Sequence, residues 1–140
     1  MIDGSLPLQA ALVAAVEASE ALGLLIGDRI YDKVPTNSAG LPGATFPYAS
    51  LGPILALGGG GDCDIGSEYT AQIDFWSRGV GRVEAARMVA AAAQVLDAAL
   101  AVDGHRMITH EVETATTQRG LDGLTTQGIL RLRYQMVPTA

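Results

Sequence analysis

Between Val83 and Leu100 the apolar residues Val83, Ala86, Val89, Ala90, Ala93, Leu96 and Leu100 recur at a spacing that places them on one face of an α-helix. Arg82, Glu84, Arg87 and Asp97 fall mostly away from that face. This is the strongest periodic signal in the chain. Alanine favours the helix and gives it a smooth, thin surface, so such a helix must lie close against a sheet or a second helix. The remaining sequence has to supply that partner.

Ser5 can cap a first helix that tolerates Pro7 in its opening turn. The stripe Leu8, Leu12, Val16, with Ala11 and Ala15, carries this helix to Leu22, and Gly23 is a plausible stop. Arg29-Ile30-Tyr31-Asp32-Lys33-Val34 is β-prone and closed by Pro35, and the Asn-, Ser-, Gly- and Pro-rich stretch from Thr36 to Thr45 reads as an exposed loop. A strand then runs from Phe46 to Leu57, interrupted at Gly52-Pro53 by a bulge or an edge. Tyr69, Ala71, Ile73 and Phe75 alternate with Thr70, Gln72, Asp74 and Trp76, predicting a second strand joined to the first by a long hairpin loop. After the long helix, Asp103-Gly104 turns the chain into a strand over Arg106 to Thr114, with Ile108 and Val112 on one face, and Asp122-Gly123 marks another turn. The final strand sets Leu130, Leu132, Tyr134 and Met136 against Ile129, Arg131, Arg133 and Gln135, which gives it one charged face. The expectation is a single α+β domain over residues 1–140: two helices packed on one face of a mostly antiparallel mixed sheet of four to five strands.

Composition narrows the function. Fifteen acidic residues against nine basic ones leave a formal charge of −6, the wrong sign for wrapping a phosphate backbone. No run of about 18 apolar residues is available to span a bilayer, so no membrane partner is expected. The start Met-Ile-Asp-Gly carries no export signal, and the single Cys63 excludes an internal disulfide framework, which together fit the cytoplasm as the place of synthesis. Only seven residues are aromatic, so the large anchors of a core are scarce and burial against neighbouring subunits is expected.

The residues give no chemistry to a catalyst. Gly58-Gly59-Gly60-Gly61 invites a phosphate-cradle reading, but no Gly-Lys-Ser/Thr follows, and Asp62 and Asp64 just beyond would repel an anion. The same aspartates disfavour a Cys63 thiolate. His105 and His110, five apart, point to opposite faces of an uninterrupted strand and cannot share a metal. Asp74, Glu84, Glu111 and Glu113 are candidate acids, yet Glu111 and Glu113 alternate with Thr109 as a solvated sheet surface does. Neither a Gly-x-Ser-x-Gly elbow nor a His-Glu-x-x-His pair occurs, so no cofactor is expected and the chain reads as a non-enzyme. Arg131 and Arg133 share one strand face, while Arg78 and Arg82 flank the start of the long helix. They form either a solvated surface or ion pairs across a subunit boundary.

Several segments in order carry a resemblance. They are Leu22-Gly23, Gly27-Asp28-Arg29-Ile30-Tyr31-Asp32 with Val34-Pro35, Phe46-Pro47-Tyr48 with Leu51-Gly52, and Phe75-Trp76-Ser77-Arg78. Gly81-Arg82 with Glu84-Ala85, Gly104-His105-Arg106, and Gly128 with Leu130-Arg131 and Arg133-Tyr134 complete the set. From about Leu8 to Tyr134 the chain resembles the tail completion or tail terminator proteins of long-tailed phages and of phage-derived gene transfer agents. The resemblance implies a subunit that closes a homohexameric ring on the head-proximal end of the tail tube, stops tube polymerisation and joins the head connector or adaptor. It also implies residence in a virion or gene transfer agent particle, the tail tube protein as partner, and DNA only as a passenger. A ring of six would carry roughly −36 in formal charge, which lets DNA slide through. Gly59, Gly60, Asp62, Asp64, Arg78, Arg131 and Arg133 are the candidate subunit or tube interface. The polyglycine run is longer than the family's hairpin loop. The alternative is a small ligand-binding or regulatory module with the Gly58–Gly61 loop as a lid.

Overall fold

The computed structural model describes residues 4–41, 43–57 and 67–139. Five strands form one mixed sheet: β1 (Ile30–Tyr31), β2 (Tyr48–Leu57), β3 (Ser67–Ser77), β4 (His105–Arg119) and β5 (Thr126–Pro138), in the spatial order β1-β2-β3-β5-β4. β1 pairs in parallel with β2, and every other pair is antiparallel. The period-two pattern decides which face is buried. Tyr69, Ala71, Ile73 and Phe75 of β3 stand opposite Tyr134, Leu132, Leu130 and Gly128 of β5, all out of solvent. They form one apolar core with residues from α1 (Ser5–Ala18), α2 (Glu20–Ile26) and α3 (Val83–Leu96). The fold is α+β, with three helices rather than two among the described residues.

The extra helix comes from a break at Ser19. Its backbone is extended, its Oγ accepts a hydrogen bond from the Leu22 amide at 3.2 Å, and α1 and α2 meet at an 83° bend. A serine that caps new helix N–H groups competes with continuing the old helix. The turn brings Leu22 and Ile26 into the core. Gly23 therefore lies inside α2, where Gly27, at φ 60°, is the C-cap, and Gly4 rather than Ser5 caps α1. No single helix among the described residues is long and apolar enough to cross a membrane.

The face of α3 is also rotated from its expected position. Ala85, Met88, Val89, Ala92 and Leu96 are buried, while Val83 is 58% exposed and Ala86 and Ala90 face outward. With alanine on every side, periodicity alone ranks several faces equally, and the sheet beneath breaks the tie. A Cβ on Gly128 would sit 2.6 Å from Val89 Cγ2 and 3.3 Å from the Ala85 carbonyl oxygen. The helix thus seats where β5 lacks a side chain.

Two strand expectations change as well. β1 shrinks to two residues because the chain turns away after Tyr31 and closes its own loop. In that loop the Asn37 amide donates to Leu41 O, the Gly43 amide to Pro35 O, and Asn37 Oδ1 accepts from the Ala39 and Leu41 amides. β4 continues past Thr114 to Arg119 and carries register shifts between Met107 and Thr109 and between Val112 and Thr114. Ile108 is the extra residue of the first bulge and is 41% exposed, so it does not share a face with Val112. The shift also brings His105 and His110 onto one face, opposite Pro138 and Tyr134. The interruption expected at Gly52-Pro53 is present as a register shift between Leu51 and Ile54.

Candidate functional site

Strand alternation that buries one face of the sheet leaves the other without a helix over it. On this open face the even residues of β3 (Glu68, Thr70, Gln72, Asp74, Trp76) stand beside the odd residues of β5 (Gln127, Ile129, Arg131, Arg133, Gln135). Three of the seven aromatic residues, Tyr69, Phe75 and Tyr134, are fully buried in the helix-covered core. The other four gather at one end of the open face. Tyr48 packs edge-on to Tyr31 at 5.9 Å between ring centroids, against Phe46 at 5.1 Å, and stacks with Trp76 at 6.4 Å. Trp76 Nε1 donates to Ser50 Oγ at 2.9 Å, which locks the indole in place. Burial pushes the Tyr48 phenol above its ordinary pKa, against the opposing effect of Arg78.

The loop from Val34 to Phe46 and the β4–β5 turn rise on either side of this cluster and enclose a groove of about 900 Å³. Leu41 and Leu121 stand on its two walls, 60% and fully exposed. Arg78 crosses the rim with its guanidinium 4.3 Å from the centre of the Phe46 ring and its Nε donating to Thr125 Oγ1 at 3.4 Å. No carboxylate lies within 4 Å of Arg78 among the described residues. The opposite wall is braced by Asp122, which accepts hydrogen bonds from the Thr125 amide and hydroxyl and from the Leu124 amide. These bonds hold its carboxyl at about 2, below the usual 3.8, because they favour the charged form. A depressed carboxyl contributes fully above the unfolded value and loses that contribution as pH falls through the folded one. The Thr125 amide resonance is therefore expected to stay fixed from pH 7 to pH 4 and to move with a midpoint near 2. A midpoint near 4 would contradict the turn geometry.

Two charge networks cover the rest of the open face. Asp74, only 8% exposed, accepts from Gln72 Nε2 and Gln127 Nε2, while Arg131 Nε donates to Gln72 Oε1 and Gln118 Nε2 to Gln127 Oε1. Toward the other end Arg133 meets Glu68 at 2.9 Å, Glu111 at 3.2 Å and Glu113 at 2.7 Å. Arg133 is thus paired within its own chain, and Arg131 is held by a neutral amide. Gly59, Gly60, Asp62 and Asp64 lie outside the described residues, as does Cys63. The structure brings Arg131 and Arg133 together on the open face and places Arg78 apart from them, at the groove. Arg82 caps α3 by position only and is exposed.

The candidate acids Asp74 and Glu84 stand on opposite sides of the sheet. Asp74 is on the open face, and Glu84 Oε1 accepts from the hydroxyl of Ser77, which is buried on the helix side. His110 Nδ1 meets the Asp97 carboxylate at 2.7 Å, whereas His105 Nδ1 lies 3.0 Å from the Asp103 carbonyl oxygen, so the two rings have separate partners. The aromatic groove was missed by sequence reasoning. Its signal was Trp76 on the strand face opposite Phe75, since a tryptophan on a nominally solvent-facing position needs a partner.

A model of the tail completion protein gp17 family matches residues 10–136. The chain belongs to this family. Tail completion proteins are structural components of phage-type tails, and the chain is such a component. Among solved structures, a chain of the virion of a native gene transfer agent particle matches with a TM-score of 0.84 at 24% identity, over 98% of this chain and 99% of that one. The gp17 protein of bacteriophage SPP1 matches with a TM-score of 0.57 at 22% identity, over 94% and 89% of the two chains. Both share the fold. No curated protein matches by sequence.

Proposed function

We propose that this tail completion protein forms a homohexameric ring on the head-proximal end of a phage-type tail tube, stops tube growth there, and presents the surface that the head connector or adaptor engages. The observation that carries the reading is the family match over residues 10–136, spanning nearly the whole sheet-and-helix unit. Two physical features support it. Phe46, Tyr48 and Trp76 line an apolar groove outside the helix-covered core, and a protein seated there would bury the exposed parts of Phe46 and Trp76. The acidic balance of −6 suits a channel through which DNA passes without sticking. In this reading residues 1–140 act as one domain, and the particle holds it, made in the host cytoplasm, between head and tail.

The groove also favours assembly over a lidded ligand site. It opens where β2 begins and β3 ends, about 30 Å along the strand from Leu57, the β2 residue that precedes the glycine run in sequence. Mixing purified tail tubes with the chain and viewing them by electron microscopy tests the proposal. The expected image is a six-fold ring at one end of each tube, with tube growth arrested at that end. Binding along tube walls, or none, contradicts it.

A further inference from the structure

We infer that the outer face of α2 docks into the aromatic groove around Trp76 of a second copy of this chain, which makes the contact between neighbours head-to-tail. The inference rests on the ring reading and names its contact.

The outer face of α2 carries three features that its own chain does not use. Leu24 is 85% exposed, more than any other large apolar side chain on the described helices. Gly23 beside it lies inside the helix, where alanine is the more stable residue, and a Cβ there would meet nothing within 4 Å outside its own turn of helix. No contact within the chain calls for that glycine, whereas the close approach of a partner from outside does. Glu20, one turn before Leu24 on the same side, is exposed and has no basic group within 4 Å among the described residues. One face of the helix thus presents an apolar knob, a notch and a carboxylate.

The groove supplies the complement. Leu41 and Leu121 form its walls, and Tyr48 and Trp76 line it between them, around about 900 Å³. Arg78 at the rim has no carboxylate within 4 Å, and the oxygens of Asp122, the acid among the lining residues, are engaged by Thr125 and Leu124. A cation without an acid in the groove matches an acid without a cation on α2, and a projecting leucine matches apolar walls. This is how a short helix face fills an apolar groove.

The two halves lie on opposite sides of the sheet. Leu22 and Ile26 hold α2 to the helix-covered core, whereas Tyr48 and Trp76 stand opposite each other on the open face. Two different patches on one chain form a heterologous contact, which propagates in one direction and closes as a ring.

The test gives each chain a single cysteine. Chain with Leu24→Cys and Cys63→Ser is mixed with an equal amount of chain with Leu121→Cys and Cys63→Ser, added to purified tail tubes and exposed to a mild oxidant, and the linked peptides are identified by mass spectrometry. A disulfide needs Cα atoms within about 7 Å, and in this mixture it can only join two chains. The expected result is a dominant link from position 24 to position 121 on capped tubes. If Leu121→Cys fails to cap, Leu41→Cys on the other wall carries the same measurement. If Leu24→Cys fails to cap, charge reversal replaces it: Glu20→Arg and Arg78→Glu each weaken capping by at least about tenfold, and a chain carrying both recovers it. Capped tubes without the link, a link from the groove to a tube or connector protein, or a double reversal that recovers nothing overturn the α2 contact and leave the ring reading standing. Wild-type chain that never caps tubes counts against the ring itself.

Discussion

Gly128→Val is expected to unseat α3 and to destabilise the fold by about 2–3 kcal/mol. A single added Cβ already meets Val89 Cγ2 at 2.6 Å and the Ala85 carbonyl oxygen at 3.3 Å. Overpacking a filled core costs about 1–3 kcal/mol, and valine adds two further methyl groups in the same space. The opposing gain, better strand propensity, spans at most about 1 kcal/mol. Steric conflict therefore wins. Gly128→Ala should fall between wild type and valine. Urea unfolding reads the effect as a lowered midpoint, and a valine variant with the wild-type midpoint would show that α3 does not ride on this position.

Trp76→Ala is the largest effect expected on assembly rather than folding. The indole is half-buried, stacks on Tyr48 and donates to Ser50, so its loss opens the floor of the groove while the helix-covered core stays intact. Interface hot spots are worth at least about 2 kcal/mol and favour tryptophan, which translates to weaker association by roughly 30-fold or more. The measurement is binding of the variant to tube ends, beside a circular dichroism melt. A folded variant that caps tubes as tightly as wild type would remove the groove from the assembly contact. Trp76→Phe keeps the stacking surface and should recover most of the binding.

The alternating strands were the most legible part of this sequence. Tyr69 to Phe75 and Leu130 to Met136 read as buried faces because period two leaves little ambiguity when large apolar residues alternate with polar ones. The Gly52-Pro53 interruption was equally plain, since proline cannot donate to a ladder. Where alanine dominated, the reading lost its bearing: α3 was identified as a helix, but its buried side was fixed by the gap over Gly128, which belongs to a strand some 40 residues later. Ser19 was overlooked because the apolar stripe runs past it, although a serine followed three residues later by a buried leucine is a usable sign of a new helix start. The bulge at Ile108 hid the shared face of His105 and His110.

The candidate site was legible in its charges and hidden in its aromatics. Arg131 and Arg133 were placed on one charged face, and they stand there. That Arg133 is met by Glu68, Glu111 and Glu113 depends on two strand pairings and a bulge. Tyr48 and Trp76 come from two strands whose register only the folded sheet reveals, Phe46 comes from the loop before β2, and Tyr31 joins them through the short parallel β1. Each is a single residue in its own segment, so none stands out alone.

Tail length in particles made without this chain is the most direct test of a capping role. The account predicts tails that outgrow the wild-type length and do not join filled heads, with both defects reversed when the chain is supplied. Tails of normal length on filled heads in its absence would contradict it.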